Sequence, residues 1–273
     1  MDEPTPLILA FVADLYFSSR IESAAAGLGL RYEAVETADQ IGAGEISRDL
    51  TAAGALIDRI SRRGPALIIF DLNNQAVPWR KWIPLLKSDP ATRRIPQIAF
   101  GSHMDVESLG AAREAGAEAV LARSAFVADL PALILKYLHA TDRDAVDSAC
   151  MQPLSELALE GIRLFNAGEY FEAHEVLEHA WNADLGPGRD LYRAVLQVAV
   201  AYLQIERGNF RGAVKMFMRL RQWLEPLPPV CRKVDVERLR QDARRVEDAL
   251  LVLGPEGVGG FDRGLFNPVR VVE

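Results

Sequence analysis

The amino-acid sequence predicts a chain in two halves, a doubly wound α/β domain with a parallel five-stranded sheet, then a compact all-α bundle of about five helices. Three observations support that prediction. From residue 7 to about 139, short uninterrupted apolar runs alternate with helical stretches, the pattern of parallel strands covered on both faces. The stretch ATDRDAVDSACMQP, over 140–153, is polar and aperiodic and ends at a proline. Beyond it the apolar residues recur at helical spacing, and no segment reads as a strand.

The expected strands are 7–12, 66–70, 97–100 and 119–121, with a fifth near 31–35 completing the sheet; helical stretches include 19–28 and 108–117. The second half reads as helices over 154–165, 169–181, 189–207, 210–224 and 234–253, divided by glycine- and proline-containing breaks. The expected domains are 1–141 and 154–273, with a linker over 142–153. A weak repeat runs through the helices, where GEYFEA at 168–173 recurs as GNFRGA at 208–213. Each copy has a glycine that ends one helix, an aromatic that enters the next and a small alanine that permits close packing, as in helical hairpins.

Composition sets limits on function. The 273 residues carry 31 Lys and Arg against 38 Asp and Glu, a formal charge of -7, which argues against non-specific nucleic-acid binding. Residues 211–245 depart from this with ten Lys or Arg and four Asp or Glu, which leaves a local basic surface open. Interspersed Glu237 and Asp242 favour a solvated helix face there. The two cysteines, Cys150 and Cys231, are far apart and lack metal-ligand spacing, so neither a disulfide scaffold nor a Cys-based zinc site is expected, and a reducing cytoplasm is the default. The opening MDEPTPLILAFVAD is acidic, and its apolar run is too short for a signal peptide or membrane span.

The first half ends its third strand in Asp71, followed by KSDPATRRIPQIAF at 87–100 and AGAEAVLARSAF at 115–126. Together these phrases resemble bacterial response-regulator receiver domains over nearly all of residues 7–139. The resemblance implies a flavodoxin-like fold and places Asp71 at the position that accepts a phosphoryl group. Phosphoryl transfer to a carboxylate needs a magnesium ion held by further acids, and cations to neutralise the transferred group. The family supplies two adjacent acids after the first strand, where this chain has Ala13 and Asp14. It places Ser or Thr after the fourth strand, where Gly101 stands here before Ser102, and a Lys-Pro pair after the fifth, where Arg123 and Ser124 stand. Arginine keeps the charge but not the compact ammonium geometry. These departures predict a pseudo-receiver that ordinary phosphorylation does not switch. The competing expectation keeps Asp71 as acceptor, with Asp14 holding metal and Arg123 reading the phosphoryl oxygens. Trp79 and Trp82, three residues apart, are expected to pack their helix onto the sheet. His103 is expected in a loop at the top of the sheet.

In the second half, the helix over 169–181 sets Tyr170, Ala173, Leu177, Ala180 and Trp181 on one arc and Glu172, Glu175 and His179 on the solvent side. His174 and Glu178, four residues apart, fall at or inside the apolar seam, so a buried ionisable pair is expected. It either fixes helix packing or forms a small-ligand or metal site. The sequence H-E-x-x-E lacks the second histidine of zinc proteases, and a metalloprotease is not expected. The helix over 189–207 is apolar nearly all round and therefore central. Gln204 sits within its apolar face, and Asn166, Tyr192 and Tyr202 are candidates to line a pocket with Tyr170 and Trp181.

The phrases FNAGEYFEAHEVLEHAW at 165–181 and GNFRGA at 208–213 resemble the bacterial domain-of-unknown-function family 309, over about residues 157–224. That resemblance implies a small all-helical domain and brings no reaction or cofactor. The expected protein is thus a non-enzymatic regulatory or scaffold protein with a protein partner and a tendency to self-associate. The rival is a ligand- or metal-dependent helical domain, centred on His174 and Glu178 and regulated by the receiver-like half.

Overall fold

The computed structural model describes residues 5–41, 52–138 and 142–272. Residues 1–4 of the acidic opening and positions 140 and 141 lie outside the described residues. The chain divides into two compact units, Met1–Ala140 and Thr141–Glu273.

The first unit runs β1 (Leu7–Phe11), α1 (Leu15–Gly27), β2 (Arg31–Ala34), α2 (Ala52–Arg63), β3 (Leu67–Asp71), α3 (Trp79–Ser88), β4 (Gln97–Gly101), α4 (Val106–Glu114), β5 (Ala119–Ala122), α5 (Arg123–Ala128) and α6 (Leu130–Tyr137). All strands pair in parallel in the order β2-β1-β3-β4-β5, the flavodoxin-like winding. Strands β1, β3 and β4 are buried at every position, which is why their sequences are continuous apolar runs. The edge strands β2 and β5 stay partly exposed, so β2 tolerates Arg31 and Glu33.

One sheet face buries Ile8, Ala10, Ile69, Ile98 and Phe100 against Phe17 and Ile21 of α1, Phe126 of α5 and Ile134 of α6. Phe100 and Phe126 stack at 4.0 Å. Elsewhere in the core, Phe11 stacks on Phe70 at 4.8 Å and meets the edge of Trp82 at 5.2 Å. Trp79 and Trp82 are buried, and the Trp79 ring N–H donates to the Leu72 carbonyl at 3.0 Å. Both tryptophans therefore anchor α3 to the sheet, as their spacing predicts.

The second unit contains α7 (Arg143–Cys150), α8 (Glu156–Asn166), α9 (Tyr170–Ala183), α10 (Asp190–Glu206), α11 (Phe210–Leu224) and α12 (Val236–Gly257). Helix α12 kinks where Gly254 adopts φ 68° before Pro255. The sequence repeat is structural. Gly168 and Gly208 both take left-handed φ, 82° and 69°. The next residue's amide closes the preceding helix in each copy, Glu169 onto Leu164 at 3.0 Å and Asn209 onto Gln204 at 2.8 Å. The result is two helical hairpins, α8–α9 and α10–α11, with α10 packed against both α9 and α11. Gly161 lets α8 meet α9: a Cβ there would lie 2.6 Å from Leu177 Cγ.

The C-terminal tail folds back on this unit. Asn166 both donates to and accepts from the backbone of Val269, at 3.0 and 2.8 Å. Phe266 stacks on Tyr202 at 4.1 Å, within an aromatic group that includes Phe165 and Tyr170.

Three expectations are corrected. Cys150 and Cys231 are joined as a disulfide across 81 residues, so distance in sequence did not exclude pairing, and the inference of a reducing compartment loses that support. The stretch read as a polar linker contains α7, which buries Val146 and Cys150. A two-residue antiparallel pair also exists, β6 (Val230–Cys231) with β7 (Val234–Asp235). Its turn residues Arg232 and Lys233 have φ 50° and 65°, the left-handed pair that a tight hairpin requires. No Asn-Gly signal marks it. Instead the buried Arg232 pairs with Asp184 at 2.6 Å, bonds the Tyr192 hydroxyl and lies over the Tyr192 ring at 5.0 Å, and its amide donates to the Cys150 carbonyl at 2.6 Å. Gly188 makes room for this guanidinium, since a Cβ there would lie 2.8 Å from it.

Two outcomes follow for stability. Replacing both cysteines by serine removes a constraint worth about 4 kcal/mol in the chain-entropy account and lowers the Tm of the second unit by about 10 °C or more, measured by calorimetry. Gly161→Ala costs about 1–3 kcal/mol in denaturant unfolding, because the added methyl forces α8 from Leu177.

Candidate functional site

Parallel winding brings four strand ends to one edge of the first sheet. Asp71 ends the central β3 opposite Phe100, while Asp14 follows β1, Gly101 ends β4 and Arg123 begins α5 after β5. This edge includes the crevice between β1 and β3, where the winding reverses. Asp71 is 3% exposed. One of its oxygens accepts the Asn73 amide at 3.0 Å, and the other faces the Arg123 guanidinium at 3.7 Å. Burial pushes the Asp71 carboxyl above the ordinary range; the Asn73 amide and Arg123 oppose this, and Asp14 adds to it.

The remaining positions are committed to local structure. Asp14 is exposed and caps α1, accepting the Tyr16 amide at 2.9 Å. Arg123 spreads over the Phe17 ring at 5.0 Å. Gly101 is confined, since a Cβ there would lie 3.2 Å from Leu72 Cβ, and Ser102 donates its amide to Asn73 Oδ1 at 3.1 Å. His103 is exposed.

In the helical unit the expected buried pair is not a pair. His174 is half-buried, the Glu178 side chain is 45% exposed, and no hydrogen bond joins them among the described residues. Glu178 instead faces Arg193 of α10 at 3.7 Å. The Arg193 guanidinium lies over the Trp181 ring at 4.6 Å and 5.9 Å from the Trp223 ring of α11, and Arg189 covers Trp181 at 5.1 Å. The buried Trp181 ring N–H has no acceptor among the described residues. One turn beyond Arg193 on the same face, Gln197 is 7% exposed and its side-chain carbonyl has no donor among the described residues. The site is thus a seam between α9 and α11 floored by α10.

Other expected members lie elsewhere. Gln204 is half-buried, and its carbonyl accepts the Asn209 side-chain amide at 2.8 Å in the α10–α11 turn, where the helix ends. Tyr170 belongs to the aromatic group sealed by Phe266, and burial, reinforced by Glu206, pushes its hydroxyl up to about 12. Tyr202 lies in that core too, its pKa raised mainly by burial. Tyr192 serves Arg232 and Ser155, and Asn166 holds the tail. The prediction missed Arg193 and Gln197. Their signal was present as polar residues at four-residue spacing, Arg189, Arg193 and Gln197, on an otherwise apolar helix.

Nor is the 211–245 basic run simply solvated. Arg221 pairs with the buried Glu247, and buried Arg240 donates to the Leu224 carbonyl at 2.8 Å and to that of Leu227. Among the described residues no group of three or more His, Cys, Asp and Glu could hold a metal ion, and no helix is long and apolar enough to cross a membrane.

Residues 158–216 match the family model described as Domain of unknown function (DUF309). Solved receiver structures match over the N-terminal half. The phosphorylated cyanobacterial phytochrome response regulator is 17% identical, covering 49% of this chain and 94% of that one, with a TM-score of 0.37. A response regulator in red light signalling of R. palustris is 20% identical over 50% of this chain and 96% of that chain, with a TM-score of 0.38. The signal receiver domain of a Luxo repressor protein from Vibrio parahaemolyticus is 17% identical over 49% and 89%, at 0.36. No curated protein matches. The N-terminal half has the flavodoxin-like strand order, and the helical half carries the DUF309 match.

Asp71→Asn tests the balance at the sheet edge. A raised carboxyl means the folded state binds its proton more tightly, so ionisation costs stability as pH rises through the folded value. The variant should be at least as stable as wild type at pH 7, with the difference vanishing below the ordinary carboxylate range, read by thermal melts across pH.

Proposed function

We propose that the chain is a non-enzymatic regulatory or scaffold protein, in which a pseudo-receiver acts as an interaction module beside the helical domain. The observation behind this reading is the Arg123 guanidinium facing Asp71. The buried carboxylate is already met by a cation from its own chain, at the position where the resembled family keeps a lysine. The donor set fits a magnesium ion poorly. Asp71 divides its oxygens between Asn73 and Arg123, Asp14 is spent on the α1 cap, and a further cation would meet the guanidinium. Close packing against Leu72 at Gly101 disfavours a side-chain hydroxyl beside the carboxylate. A fixed Asp71–Arg123 contact suits a domain that holds one conformation for a protein partner or a second copy of itself.

A second reading, a helical unit that binds a small ligand near His174 and Glu178, is favoured by the unmet polar atoms of Trp181 and Gln197. Metal suits that site less well. His174 and Glu178 offer two protein ligands, fewer than the three or four of zinc sites.

Incubating the full chain with acetyl phosphate and magnesium, followed by intact mass analysis, should give no phosphoryl adduct. A stoichiometric adduct that disappears in Asp71→Ala would refute the pseudo-receiver.

A further inference from the structure

We infer that the seam between α9 and α11 is a binding site for a free α-amino acid. The carboxylate would lie against Arg193 and the Trp181 ring N–H, and the ammonium group between the Gln197 carbonyl and Glu178. The inference rests on the ligand-binding reading of the helical unit and specifies its ligand.

The seam pairs opposite hydrogen-bonding needs on neighbouring turns. At one end Arg193 presents a cation whose plane is held by Trp181 and faces Trp223, a preorganisation that suits a planar carboxylate. The Trp181 ring N–H can only donate and has no acceptor among the described residues. At the other end the Gln197 carbonyl can only accept and has no donor among the described residues, although the residue is more than nine-tenths buried. An unmet buried polar atom costs the fold and persists only where the surroundings or a function require it.

One helical turn, about 6 Å of rise, separates Arg193 from Gln197, and side chains projecting into one seam can converge further. A ligand that satisfies both ends must therefore carry an anionic acceptor and a donor within a few ångströms of each other. Glu178 decides the donor's charge. Its carboxylate sits beside Arg193 at 3.7 Å and stays partly open to solvent. A cationic donor gains from it and a neutral hydroxyl gains less. His174, one turn before Glu178 on α9, stands at the same open side of the seam. Arg189 lies over Trp181 from the turn before α10 and donates to the Asp184 carbonyl at 3.3 Å, so it borders the seam.

The test uses the full chain. Thermal melts are taken with each of the twenty standard L-amino acids, and with acetate and inorganic phosphate as carboxylate-only and anion-only probes. At least one amino acid should raise the Tm by about 2–4 °C at saturating concentration, with acetate and phosphate much weaker. Titration calorimetry with that amino acid should show Glu178→Gln and Arg193→Lys raising Kd about tenfold or more. Gln197→Leu should melt no lower than wild type without ligand, because it removes an unmet acceptor, and should lose the ligand response. A merely structural glutamine would instead destabilise when replaced.

No shift with any amino acid overturns the inference, as does a response retained in Gln197→Leu. An equal shift with acetate or phosphate overturns the amino-acid assignment alone and leaves a ligand site standing.

Discussion

A polar side chain on an element covered from every direction has no water to turn to, and each unit is organised around such an element. Strand β3 lies between two strands and under helices on both faces. Helix α10 is packed between α9 and α11 and is apolar along most of its length. Whatever these elements carry that is not apolar must be answered from within. Asp71 is answered by Asn73 and Arg123, and Arg193 by two aromatic rings and Glu178. The Gln197 carbonyl and the Trp181 ring N–H have no partner among the described residues, and there the helical unit departs from the economy of its own packing.

The two sites differ in the state in which they are left. At the sheet edge, the carboxylate has partners although burial still disfavours its charge, so the local chemistry is closed upon itself. In the seam, the Trp181 ring N–H and the Gln197 carbonyl have no hydrogen-bond partner among the described residues. A closed site suits a module that offers one shape to others, and an open one suits a module that changes when something small arrives.

The architecture was legible because it depends on periodicity. Continuous apolar runs became fully buried strands, and the glycines of the GEYFEA and GNFRGA repeat became left-handed helix endings. The tryptophans of α3 and Asp71 at the strand end were placed for the same reason. Side-chain partnership was less legible, since it depends on contacts between segments distant in sequence. His174 and Glu178 share a helix face, but the charge that Glu178 meets comes from α10, which the pattern rendered simply as apolar. Gln204 lay on the expected face, yet its partner is Asn209 of the following turn. The Arg232 hairpin had no turn signature, because a disulfide and an ion pair impose a conformation that local propensity would not choose.

The disulfide has a topological consequence. Joining Cys150 to Cys231 closes a covalent ring that contains α8 to α11 and the whole of the 158–216 family match. A protease that nicked the exposed turn around Leu185 would open the ring without releasing either piece, so both hairpins would stay tethered as one molecule. During synthesis the ring cannot close until residue 231 has left the ribosome, after every residue of the four enclosed helical segments has been added to the chain. The bond is therefore the last covalent step in making the ring, whatever the order in which its helices fold.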